Sequence, residues 1–225
     1  MNDGAARFAA RYPVVWHVIE AEGAGPWLAT TGLLPAASLL HLAGIAADGE
    51  NRNDFRPIAF GNGHVAILRQ QIMPDRWLIP TLAGIYAGQP TAWRSLINAH
   101  VFLWTEERRR DAFVRACMRL RTHSRTVPPQ ILAFRTATLL EQSRCNAFFT
   151  RINSGSTVRG GARARRDEST FTRVEQYRQG AVAELAIRGR VTLDAATGFE
   201  PISRAASVAS IAGQSGEASK IRAPP

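Results

Sequence analysis

Residues 181–188 read Ala-Val-Ala-Glu-Leu-Ala-Ile-Arg. The stretch is apolar and alternates well enough to predict a strand. One carboxylate, Glu184, stands in its middle. An ionised acid is costly to bury unless it has a partner or a purpose. Two readings follow. Glu184 shares the parity of Val182 and faces solvent, or it is buried with a role. In the second case burial raises its pKa and nearby arginines lower it.

Working outward, Arg190 to Asp194 is expected to return as a hairpin around Gly189. Upstream, Tyr12-Pro-Val-Val-Trp-His-Val-Ile19 predicts a buried first strand. Gly23 to Thr31 predicts a short helix, with Pro26 near its first turn and Gly32 as its stop. Pro35 opens a second helix carrying Leu39, Leu40, Leu42 and Ala43. Asp48 to Gly63 is polar and glycine-bearing and reads as a loop. His64 to Gln70, Val101 to Trp104 and Gln130 to Arg135 read as strands. Arg76 to Gly84, Thr91 to Ala99 and the basic stretch Glu106 to Arg121 read as helices. Strands and helices mixed without a βαβ rhythm predict an α+β fold.

The domain is expected to span 12–198, after a short extension at 1–11. Residues 199–225 are rich in Ser, Ala and Gly, and predict a disordered basic tail. A chain of 225 residues that is 45% hydrophobic can bury a proper core. No apolar run approaches the roughly 20 residues of a membrane span, so no membrane partner is expected. Met1 to Arg11 lacks a signal-peptide run. Cys117 and Cys145 are too few for a disulfide scaffold, and a cytoplasmic location is expected. No His/Cys/Asp cluster has zinc-like spacing, so no metal is expected.

The net charge is +10, and Lys220 is the single lysine among 28 basic residues. A positive field of this size favours anionic partners, nucleic acid or a phosphate-bearing cofactor. Walker, Gly-x-Ser-x-Gly and Rossmann motifs are absent; Gly61-Asn62-Gly63 lacks a third glycine.

Other candidates each carry two readings. His17 is a satisfied core histidine or a hydrogen-bonding partner for a ribose or carboxamide. Arg52, Arg56 and Arg69 are solvated arginines or ligand contacts. Arg159, Arg163, Arg165 and Arg166 form a basic cluster near a loop. Asn153-Ser154-Gly155-Ser156-Thr157 either closes a loop through backbone hydrogen bonds or presents hydroxyls and amides to a cofactor.

These pieces, in this order, resemble bacterial ADP-ribosyltransferase-like domains. Trp16-His17-Val18 followed by Gly32-Leu33-Leu34 is similar to the opening of that family. Val65 to Met73-Pro74 and Val101-Phe-Leu-Trp-Thr105 resemble its next strands. Ile152 to Thr157 resembles a segment of one uncharacterised bacterial branch. Val182-Ala-Glu184-Leu185 is similar to the late strand with the catalytic glutamate. The resemblance covers about residues 12–194 and extends, more distantly, to DarT-type DNA ADP-ribosyltransferases. Two positions depart from that type. Ile19 stands where a threonine is usual, and the strand around Ile67 is not aromatic.

The resemblance implies two split antiparallel sheets with flanking helices and a cleft between them. It implies NAD as substrate and a nucleic-acid or protein acceptor. Glu184 would be catalytic, stabilising an oxocarbenium-like ribose. Arg52 would hold the diphosphate, with Arg56 or Arg69 as alternatives. His17, Asn153, Ser154, Ser156 and Thr157 would line the cofactor pocket. Two other functions fit the same outline: a non-catalytic nucleotide- or nucleic-acid-binding member, and an RNA 2′-phosphotransferase. The late glutamate speaks against the phosphotransferase, which relies on basic residues.

Overall fold

The structure is a computed structural model and describes residues 1–20, 27–46, 49, 51–61, 63–119, 129–157, 164–193 and 200–201. Seven strands form one antiparallel sheet, and two more form a separate hairpin. In chain order the main-sheet strands are β1 (Val14–Ile19), β4 (His100–Trp104), β5 (Gln130–Arg135), β6 (Ala147–Thr150), β7 (Thr172–Arg173), β8 (Glu184–Arg188) and β9 (Glu200–Pro201). Their spatial order is β7-β6-β8-β4-β1-β5-β9. The hairpin joins β2 (Arg56–Phe60) to β3 (His64–Leu68). The described α-helices are α1 (Asp3–Arg11), α2 (Trp27–Thr31), α3 (Ala36–Leu42), α4 (Asp75–Leu78), α5 (Pro90–Asn98), α6 (Glu107–Arg119) and α7 (Thr136–Ser143). The architecture is α+β. Among the described residues, no helix is long and apolar enough to cross a membrane.

Local chemistry accounts for several boundaries. The Asn2 side chain accepts from the Ala5 amide and caps α1. Pro90 starts α5, where a missing amide hydrogen costs nothing. Gly32 ends α2 at φ +77°, and a side chain there would meet the Val191 carbonyl. That close approach lets Leu33 and Val191 bridge.

The structure differs from the sequence expectation in several places. Within residues 1–11, Asp3–Arg11 form α1, and Ala5, Phe8 and Ala9 are buried in the main core, so the domain begins before residue 12. Arg56–Phe60, inside the expected loop, pairs along its whole length with β3. Among the described residues after Gly189, none pairs with β8; Val191 bridges Leu33 instead, and Asp194 lies outside the described residues. Helix α7 and strand β6 were not anticipated. Of the expected tail, Glu200 and Pro201 pair with Ala133 and Leu132; the rest lies outside the described residues.

The expected pair of split sheets is one continuous sheet with a narrow seam. Strand β1 pairs with β5 at six positions but meets β4 only at Trp16–Trp104. Val15, Leu103, Leu132, Phe134, Leu185 and Ile187 feed the larger core. A smaller core under α4 and α5 holds Met73, Leu78, Leu82, Trp93 and Ile97.

Candidate functional site

Register places the site. Trp16, Trp104, Glu184 and Thr150 are paired in one row across β1, β4, β8 and β6. Residues paired in this way share a face of the sheet. Helix α6 covers that face at the seam. Arg110 lies 4.9 Å over the Trp16 ring, and Phe113 packs 5.2 Å from Trp104.

Glu184, the first residue of β8, is 4% exposed. The strand start is held from three sides. Tyr12 Oη accepts from the Val182 amide, the Ala183 amide donates to Thr150 O, and Thr105 Oγ1 donates to Val182 O. Tyr12 itself sits in an aromatic group with Phe8 and Tyr177. The carboxylate is therefore delivered to a fixed place by α1 and by both neighbouring strands.

Its two oxygens differ. Oε2 accepts from the Ser154 amide at 3.1 Å and from Ser154 Oγ at 2.8 Å. Thr150 Oγ1 stands 3.4 Å from the same oxygen but closer to Ile152 O, so its single proton is shared. Among the described residues no hydrogen bond reaches Oε1, and that atom retains a small contact with solvent. Burial holds the Glu184 pKa above its ordinary value; the Ser154 and Thr150 hydrogen bonds and the charge of Arg109 pull it down.

Arg166 organises the loop that grips Glu184. It is fully buried. Nη1 donates to Thr81 Oγ1 at 3.1 Å and Ala164 O at 2.8 Å. Nη2 donates to Ser156 O at 2.6 Å and Asn153 O at 3.4 Å. Its own backbone is bonded to Thr81 and Ala83. Burial lowers its pKa, and the negative charge of Glu184 opposes this. Sequence reasoning placed Arg166 in a loose basic cluster. No local signal separates it from the arginines around it.

The Asn153–Thr157 loop thus closes on the protein itself. Ser154 holds the carboxylate, the carbonyls of Asn153 and Ser156 hold Arg166, and Thr157 is buried with its hydroxyl unpartnered. The loop-closing reading accounts for these contacts. The partners that stretch would present to a cofactor are the same groups it uses here.

His17 stands at the seam. Its Nδ1 lies 2.8 Å from Phe102 O on β4. A carbonyl only accepts, so Nδ1 carries the hydrogen and the neutral ring leaves Nε2 as an acceptor. Burial pushes its pKa down to about 4; the Phe102 bond raises it, and the charge of Arg69 lowers it further. Side chains alternate along a strand, so His17 projects from the side of β1 opposite to Trp16 and its row. Register therefore sets His17 and Glu184 on opposite sides of the sheet, on either flank of the seam.

Arg52 and Arg69 are engaged by the protein. Arg52 donates from Nε to Arg69 O and from both Nη atoms to Asn98 Oδ1, each at 3.2 Å. Arg69 pairs with the buried Glu20 at 2.8 Å, reaches Cys117 Sγ at 2.7 Å and lies 5.0 Å over Phe113. These contacts tie the hairpin to α5 and α6. Arg56 is exposed on β2.

Described residues line two surface hollows. One, about 420 Å³, is lined by Phe149, Arg151, Ile152, Arg165, Asp167 and Ser169, among others. The second, about 410 Å³, is lined by Arg7, Arg11, Tyr177, Arg178 and the 179–181 backbone. Glu184 lines neither hollow. Among the described residues no group of three or more His, Cys, Asp or Glu could hold a metal ion.

No curated protein and no solved structure matches the chain. One family model, described as "Family of unknown function (DUF7002)", matches residues 13–196 and so covers more than half of the chain's 225 residues. The stretch runs from the start of β1 past β8 and takes in Glu184, Arg166 and His17. The chain belongs to the DUF7002 family.

Proposed function

We propose that the protein is an NAD-dependent ADP-ribosyltransferase with Glu184 as its catalytic carboxylate. One observation carries the reading: a buried glutamate has one oxygen locked by Ser154 while the other keeps a solvent edge. A charged group held in this way needs no reorganisation when positive charge develops beside it. NAD would supply a ribose that becomes oxocarbenium-like as the nicotinamide bond breaks. Glu184 Oε1 would stand against that charge. Ser154 fixes the carboxylate's orientation, and Arg166 fixes Ser154 through the loop.

A second reading is favoured by specific contacts. Arg52 and Arg69 spend their donors on Asn98, Arg69 O and Glu20, and His17 projects away from the Glu184 row. A member that binds nucleotide or nucleic acid without chemistry would show this arrangement. Incubation with NAD labelled in the adenylate, and separate pools of DNA, RNA and protein, separates the two. The transferase reading expects label transfer and nicotinamide release, both lost in Glu184→Gln. If wild type releases no nicotinamide with any pool, the binding module replaces it.

A further inference from the structure

The second hollow is lined by exposed arginines, Arg7, Arg11 and Arg178. Arg7 and Arg11 are four residues apart on α1 and so share one face. Both are exposed, while Phe8 on the other side is wholly buried. Arg178 joins them from the 177–181 loop, which Tyr12 and Tyr177 anchor by hydrogen bonds to Gly180 O. Arg151 closes the row. Its Nη2 donates to Gln179 O at 2.9 Å and its Nη1 to Ala181 O at 3.1 Å. It also lines the first hollow with Arg165, so one side chain joins the two.

The charges in this row are not compensated. Among the described residues, none of Arg7, Arg11, Arg151 and Arg178 forms an ion pair with a carboxylate, whereas Arg165 pairs with Asp167 at 2.8 Å. Like charges at this helical spacing are unfavourable by themselves. Arg11 and Arg151 both act electrostatically on the Tyr177 hydroxyl, which places them around one loop. The aromatic rings here, Tyr12, Tyr177 and Phe149, are buried and offer no stacking surface for bases. A surface of forked cations without exposed rings fits phosphates rather than bases.

We propose that Arg7, Arg11, Arg178 and Arg151 form a track for the phosphate backbone of a nucleic acid, running toward the loop that holds Glu184. A polynucleotide fits better than a free nucleotide diphosphate, because the cations are spread over two hollows joined through Arg151. The contact is with backbone, so it is independent of sequence. Binding does not depend on the transferase reading; only the naming of nucleic acid as acceptor rests on it.

The test is fluorescence anisotropy of the full chain with labelled single-stranded DNA and RNA of about 20 nucleotides, without NAD, over a range of salt. The triple variant Arg7→Ala, Arg11→Ala, Arg178→Ala is compared with Arg135→Ala, Arg188→Ala, Arg190→Ala, which removes equal charge from exposed positions elsewhere. The expected result is a loss of about tenfold or more in the first variant, and a salt slope shallower by about 2–3. The control should lose much less. Circular dichroism should show both variants folded.

Equal losses in both variants, or no binding by wild type, would overturn the track. So would competition by pyrophosphate or an acidic peptide at the concentration where unlabelled oligonucleotide competes. Nicotinamide release by the same samples keeps the two readings apart. Release to a protein acceptor without oligonucleotide binding removes the track and spares the transferase. Site-dependent oligonucleotide binding without release supports the track and removes the transferase.

Discussion

Arg166 and Arg7 are the same residue type in opposite settings. Arg166 is fully buried, and its two terminal nitrogens serve Thr81, Ala164, Asn153 and Ser156. Arg7 is exposed and makes one long contact, from Nε to Tyr177 O at 3.4 Å. Around Arg166 the protein has taken the donors for itself, and the result is a rigid loop that positions a carboxylate. Around Arg7, Arg11 and Arg178 the donors point to water or to a partner. In a chain whose basic residues are nearly all arginine, composition does not separate these roles. Burial and donor use do.

The largest effect is expected at Arg166. Arg166→Met would withdraw the donors from Thr81 Oγ1, Ala164 O, Asn153 O and Ser156 O and uncouple the 153–156 loop. A loss of about 3–5 kcal/mol is expected in urea unfolding. Arg166→Lys should recover only part, because an ammonium cannot span both Ser156 O and Thr81 Oγ1 from one planar fork. A loss below about 1 kcal/mol for the Met variant would show that burial here does not mean structural dependence.

Glu184→Gln comes next. Nicotinamide release should fall by about 10²–10³, roughly 3–4 kcal/mol of barrier. Stability should move the other way. The folded-state pKa is raised, because burial disfavours the charged form relative to the unfolded chain. That stability is complete below the unfolded value and is lost as pH rises through the folded one. Glutamine has no charge to bury and still accepts from Ser154. The thermal midpoint of Glu184→Gln at pH 8 should therefore equal or exceed that of wild type. A clear drop would mean that the charge, through Arg166 and Arg109, contributes more than its burial costs.

His17 gives a smaller effect, with the opposite pH sense. Its folded pKa of about 4 lies below the ordinary 6.5. Above pH 6.5 the ring is neutral in both states. As pH falls toward 4 the unfolded chain binds the proton first, and about 2–3 kcal/mol of stability is lost. Because Glu184 titrates in the opposite sense, the comparison is with His17→Asn. Unfolding midpoints from pH 7.5 to 4 should fall more steeply for wild type than for the variant. Parallel curves would place the His17 ring in water rather than at the seam.

The smallest effect belongs to the exposed side of the comparison. Arg11→Ala or Arg178→Ala should change unfolding free energy by no more than about 0.5 kcal/mol. A loss near that at Arg166 would erase the contrast between the two arginine classes.

Strands β1, β4, β5 and β8 were legible because each is a short run rich in apolar and β-branched residues. Strand β2 was not. Pro57 and the glycines at 61 and 63 are turn-type residues, and its buried positions, Ile58 and Phe60, make a pattern too short to stand out. Helix α1 was passed over because small alanines make up much of its sequence. Its buried face declares itself only where Phe8 and Tyr12 meet Tyr177. At the site, Glu184 was legible as an acid in an apolar strand. The locking of one oxygen by Ser154 was not, nor was the employment of Arg52 by Asn98.

By itself the sequence predicted a strand within 181–188, of which Glu184–Arg188 is β8, and that its one acid is either at the surface or specifically held. Period and polarity are local properties, readable in eight residues. Only the tertiary structure decided between those alternatives. Ser154 is 30 residues from Glu184, and Thr81 is 85 from Arg166. Hydrogen bonds over such separations depend on strand order and register, which set β6 beside β8 and β8 beside β4. The same register put His17 and Glu184 on opposite sides of the sheet. Side chains alternate every residue along a strand, so a single position of register decides which groups meet.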